Sequence, residues 1–97
     1  MSNLRDDSVI PDGILREHVI AAIEDFRTNG FPEGYSRSHT YELVHDDSVY
    51  APPAMLALAI KSKTGAIPKT KFRAGEKTKC FDVLRSCGFE IRKIKKG

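Results

Sequence analysis

The chain has 97 residues, 40% of them hydrophobic and 30% charged. That length accommodates one domain rather than two, and the composition is neither that of a disordered segment nor that of a membrane protein. The formal net charge of +3 conceals a split: residues 1–60 hold four basic and ten acidic side chains, whereas residues 61–97 hold twelve basic and three acidic ones.

Residues 1–11 read as a flexible arm, with no apolar stretch of the kind that opens a secretory signal. Pro11-Asp12-Gly13 then introduces the first helix, with Asp12 as its cap. Over residues 14–28 the apolar positions Leu15, Val19, Ala22, Ile23 and Phe26 recur at helical spacing and form one stripe. His18 borders that stripe, and Asn29-Gly30 stops the helix. Residues 30–39 are rich in Gly, Pro and Ser and read as a loop. Residues 40–44 (Thr-Tyr-Glu-Leu-Val) alternate as a strand. His45-Asp46-Asp47-Ser48 turns the chain, and Val49-Tyr50 returns it as the second arm of a hairpin.

Pro52-Pro53 suits the first turn of a helix. Residues 54–60 (Ala-Met-Leu-Ala-Leu-Ala-Ile) are apolar on every face, which predicts a central, enclosed helix. It ends at Thr64-Gly65, with Lys61 and Lys63 where cations complement the dipole. A basic linker over 66–75 leads to a third helix over 76–87, whose stripe is Cys80, Val83, Leu84 and Cys87. The two cysteines lie about 10 Å apart along that helix, beyond the ~7 Å reach of a disulfide, so both are expected as reduced core residues. Gly88 stops the helix, residues 89–94 alternate as a last strand, and 95–97 form a frayed tail. The fold expected is α+β: a small antiparallel sheet, made of the hairpin and the C-terminal strand, packed on three helices in a single domain with a core over 12–94.

No catalytic constellation emerges. His18, His39 and His45 have no zinc-like spacing to one another or to a cysteine. His45-Asp46-Asp47 belongs to a turn, where such residues satisfy the local backbone. Asp82 and Glu90 with Arg92 or Lys93 lack a further ligand for a nuclease metal. Gly75-Glu76-Lys77-Thr78 lacks the upstream glycine of a phosphate-binding loop. Read as a helix start beside Lys71, Arg73, Lys77 and Lys79, it still presents free N–H groups to an anion. The expectation is a cytoplasmic, non-catalytic protein with no cofactor, no metal and no membrane span, whose basic third meets an anionic partner.

Several segments follow a shared spacing: Thr40-Tyr41-Glu42-Leu43-Val44, Tyr50-Ala51-Pro52-Pro53, Leu58-Ala59, Phe72-Arg73-Ala74-Gly75-Glu76, Thr78-Lys79-Cys80-Phe81, Val83-Leu84-Arg85 and Gly88-Phe89-Glu90-Ile91. The pattern resembles the N-terminal head domain of ScoMcrA-like proteins over about residues 14–94. That domain stands in front of HNH nuclease modules in modification-dependent restriction enzymes. The resemblance implies a DNA-binding accessory domain of restriction–modification or defence systems, here without the nuclease module. Two positions depart from the pattern. Ala54 stands where the family has a lysine, and Arg73-Ala74 stands where it has Ser-Gly.

The contacts expected with double-stranded DNA are therefore phosphate contacts from Arg37, Lys61, Lys63, Lys69, Lys71, Arg73, Lys77 and Lys79 on a basic face. The alternative is a small protein-interaction module, such as a phage- or plasmid-encoded inhibitor that docks on a defence or nucleic-acid complex through the acidic front of the chain.

Overall fold

The computed structural model describes residues 7–68 and 70–94. Helix α1 spans Arg16–Asn29, strand β1 Tyr41–His45, strand β2 Ser48–Tyr50, helix α2 Pro52–Thr64, helix α3 Lys79–Ser86 and strand β3 Glu90–Lys93. The architecture is the α+β one expected, with three helices and one antiparallel sheet in the order β2-β1-β3. Among the described residues, no helix is long and apolar enough to cross a membrane.

α2 occupies the centre because its sequence has no polar face before its last turn. Ala54 to Ile60 are all buried, and Ala54, Met55, Leu56, Ala57 and Ala59 are wholly inaccessible. α1 packs against it through Val19, Ala22 and Ile23, and α3 contributes Cys80, Phe81 and Leu84. The sheet presents one inner row to this core. Leu43 pairs with Tyr50 on one side and with Ile91 on the other, and all three are buried. Alternation puts Glu42 and Arg92 on the opposite face, where they form an ion pair at 2.5 Å.

Three local starts differ from the expectation. α1 begins at Arg16, three residues after Gly13, whose φ of +83° is incompatible with a helix. Asp12 therefore does not cap it. The Nδ1 atom of His18 accepts a hydrogen bond from the Leu15 N–H at 2.9 Å instead. Burial reaches ahead of residue 12, since Asp7–Val9 forms a 3-10 turn and Ile10 is only 2% exposed. α3 begins at Lys79 rather than at residue 76, because Gly75 and Lys77 both adopt positive φ, +138° and +65°. Residues 75–78 form a turn closed by the Thr78 N–H and hydroxyl, which donate to the Gly75 carbonyl at 3.3 and 2.6 Å.

The ends of the described chain are tied together. The Arg16 guanidinium donates to the Cys87 carbonyl at 3.1 Å and lies 4.6 Å from the Phe89 ring centre. The Cys87 thiol points at the Ile14 carbonyl, 3.4 Å away, and burial pushes its pKa up. Both cysteines are buried and unpaired with one another.

The hairpin turn suggests a stabilising change. Asp46 and Asp47 both have positive φ, +54° and +66°, in a two-residue loop that joins His45 to its partner Ser48. Such a type I′ turn prefers Asn-Gly, because glycine enters this region without steric cost. Asp47→Gly is expected to raise stability by about 0.5 kcal/mol, after the entropy glycine loses on folding. The readout is an upward shift of the urea midpoint at unchanged slope.

Candidate nucleic-acid interface

The loop between α1 and β1 is held against the segment that leads into α3. Its turn is closed by the Tyr35 N–H, which donates to the Pro32 carbonyl at 3.1 Å. The Lys71 ammonium donates to the Gly34 carbonyl and lies 4.1 Å from the centre of the Tyr35 ring. The Tyr35 and Phe72 rings are 6.3 Å apart. At an exposed site such a cation–ring contact is worth only about 0.5–1 kcal/mol. Lys71 thus covers Tyr35 through this weak ring contact and its hydrogen bond to the same loop.

Between these segments and the first turn of α2 lies a groove of about 540 Å³. Pro52 and Pro53 form one wall, and Lys71, Phe72, Ala74 and Gly75 form another. The third is the run from Gly34 to Tyr41, and Phe81 lies at the base. Phe81 is 1% exposed and meets the Tyr41 ring edge-on at 5.2 Å. Pro52 and Pro53 of the segment Tyr50-Ala51-Pro52-Pro53 thus meet Phe72, Ala74 and Gly75 of the segment Phe72-Arg73-Ala74-Gly75-Glu76 at one concavity, which Tyr50 and Glu76 do not line. Among the described residues, its charged or titratable lining consists of Arg37, His39, Lys71 and the two tyrosines, with no carboxylate.

Arg37, Ser38 and His39 form a ridge, since they also line a second groove of about 470 Å³ on the side of Phe26, Phe31, Val49 and Tyr50. That second groove includes Glu42 and is more apolar, and Phe31 and Val49 beside it are exposed. Tyr35 has its hydroxyl buried without a hydrogen-bond partner. Burial, with the neighbouring Cys80 as a lesser cause, raises the pKa of that hydroxyl above the ordinary tyrosine value.

The cations expected from the sequence are not all brought together. Arg37 and Lys71 line the groove. Arg73 and Lys77 are exposed on the adjoining segment. Lys61 and Lys63 sit in the last turn of α2, about 12 and 15 Å along the helix from Pro53 at 1.5 Å per residue. There the Lys61 ammonium pairs with Asp25 at 3.4 Å, and that of Lys63 approaches Gly13. Asn29, and to a smaller extent Lys61, hold the Asp25 carboxyl below its usual pKa, against a smaller upward effect of burial. Lys79 turns away to the Ile10 carbonyl at 3.3 Å and the Asp12 carboxylate at 3.7 Å. Lys69 lies outside the described residues.

Tyr35, His39, Tyr41 and Phe72 were not among the residues singled out for binding. The signal was present in the strict alternation Tyr35-x-Arg37-x-His39-x-Tyr41, an interleaving of rings and cations. Elsewhere, His45 packs edge-on against Phe89 at 5.3 Å. Among the described residues, no group of three or more His, Cys, Asp or Glu side chains could hold a metal ion.

Neither curated proteins nor solved structures give a match to this chain. A family model described as the ScoMcrA-like N-terminal head domain matches residues 12–93, which include every α-helix and strand of the fold and all three walls of the groove. The chain belongs to that family of head domains.

Proposed function

We propose that this chain is a non-catalytic DNA-binding module, related to the head domain that precedes the nuclease in modification-dependent restriction enzymes. The observation that supports this reading best is the groove where Pro52 and Pro53 meet Phe72 and Gly75, with Arg37 and Lys71 in its lining and no carboxylate there among the described residues. In this reading Arg37, Lys71, Arg73 and Lys77 neutralise phosphates, while Lys61, Lys63 and Lys79 add weaker, more distant attraction. Such contacts supply affinity and orientation with little sequence preference. The acidic front of the chain keeps the rest of the surface away from the polyanion.

The test is a titration of a labelled duplex across salt concentrations. Four to five phosphate contacts predict a slope of about −3.5 to −4.5 in a plot of log affinity against log salt, at roughly −0.9 per phosphate. The Arg37→Ala/Lys71→Ala double variant is expected to flatten the slope by about 2. A flat response of the unmodified protein would remove the reading.

The second reading, a protein-interaction module, draws on the exposed Phe31 and Val49 beside the more apolar groove. Under it, Phe31→Ser and Val49→Ser would abolish capture of a protein of the same defence complex and leave DNA titrations unaltered.

A further inference from the structure

The basic groove is shaped for more than a phosphate. A duplex can lay its backbone along such a concavity, but its bases stay stacked inside and cannot reach the walls. This groove offers ring surface: Tyr35 and Tyr41 are half-buried along it, and Phe72 and Phe81 back them. The face of Tyr35 is covered by the Lys71 ammonium, a group that a phosphate can draw off. Arg37 stands two residues from Tyr35 on the same loop and on the same groove. Rings that take bases, interleaved with cations that take the backbone, are the elements of single-strand binding.

We propose that the groove seats an unpaired nucleotide of single-stranded DNA, its base stacked on Tyr35 in the place Lys71 occupies in the unliganded protein, with Lys71 and Arg37 on the flanking phosphates. This rests on the DNA-binding reading above and specifies the strand state that the site selects. Ligand entry exchanges one cation–ring contact and the Lys71 hydrogen bond to the Gly34 carbonyl for a base–ring stack and a charge-assisted phosphate contact. Among the described residues, the groove has no carboxylate to oppose the incoming backbone.

The protein reports this event by itself. It has three tyrosines and no tryptophan, and Tyr50 is only 7% exposed. Quenching of tyrosine emission by a short oligothymidylate therefore follows stacking in the groove. The expected result is saturable quenching, with the oligothymidylate bound about tenfold more tightly than a duplex of the same length at equal salt, within the range that one stacked base supplies. Tyr35→Leu is expected to abolish the single-strand preference, read as the ratio of the two affinities at equal salt.

Should Tyr35→Leu not fold, Tyr35→Phe decides. It removes a hydroxyl that makes no hydrogen bond in the fold, so the protein remains stable and the preference persists, but most of the quenching disappears. Equal affinity for the two strand states, unchanged emission at saturation, or full quenching in Tyr35→Phe would each overturn the proposal. If the duplex binds with the expected salt slope and the single strand shows no advantage, the inference fails and the DNA-binding reading stands. If neither strand state binds at low salt, both fall.

Discussion

Phe81→Ala is expected to lower the unfolding free energy by about 3–5 kcal/mol, the range for deleting a fully buried phenyl ring. Phe81 is 1% exposed on α3 and sits where three parts of the molecule meet. It holds the edge of Tyr41 on β1 at 5.2 Å, lies under the Arg85 guanidinium at 5.5 Å, and forms the base of the groove beside Pro52 and Pro53 of α2. α3 has only eight residues and no side-chain cap, so its place depends on packing rather than on helix propensity. Domains of this size are stable by about 5–15 kcal/mol in total, so the variant is expected to be partly unfolded near body temperature. Urea titration followed by circular dichroism measures the loss. A deficit below about 1 kcal/mol would mean that the surrounding side chains collapse into the vacated space. Phe81→Leu keeps most of the volume and is expected to lose about 1–1.5 kcal/mol.

Ala54→Lys is the second severe change, and it tests a difference between this chain and the pattern of its family. Resemblance alone would suggest that restoring the family's lysine adds a DNA contact. Ala54, however, is completely inaccessible in the first turn of the central helix, against Pro53, which remains partly exposed. An ammonium held there loses its hydration without a partner, a penalty of several kcal/mol after relaxation. The expected outcome is loss of folding at neutral pH, or a deficit of at least about 3 kcal/mol. Its pH dependence has a definite sign. A buried lysine has a folded-state pKa below its unfolded value of about 10.4. The deficit is then full below the folded-state pKa and shrinks as pH rises toward the unfolded one. A variant that keeps parental stability and gains DNA affinity would instead show that the new side chain escapes past Pro53 into the groove.

Much of the fold could be read from the order of residues. The run Ala54 to Ile60, apolar all round, admits only an enclosed helix, and α2 is that helix. The alternation over residues 40–44 and 89–94 gave the strands, with Leu43 and Ile91 facing inward as the period requires. Helix starts were less legible, because they depend on backbone states that residue type only suggests. Gly13 and Gly75 permit helix and turn alike, and the positive φ of Lys77 has no sequence signature.

The site was less legible still. Counting cations after residue 60 gave Lys71, which lines the groove, the same standing as Lys61, Lys63 and Lys79, which do not line it. Where a long side chain points is decided by carboxylates distant in sequence, here Asp25 and Asp12. Those exposed pairs are individually weak. They direct the lysines without fixing them. Convergence of Tyr35, Pro52 and Phe72 on one concavity is a tertiary fact, set by how the loop after α1 crosses the start of α2.

The strand order β2-β1-β3 has a consequence for biosynthesis. The hairpin is finished early, yet the inner strand of the sheet waits for a neighbour that is translated only after α2 and α3, Tyr41 pairing with Lys93. While a ribosome is still making α2 and α3, one side of β1 is an open row of amide groups beside the most apolar stretch of the chain. A ribosome stalled before β3 therefore leaves a nascent product prone to intermolecular strand pairing and to capture by chaperones or proteases.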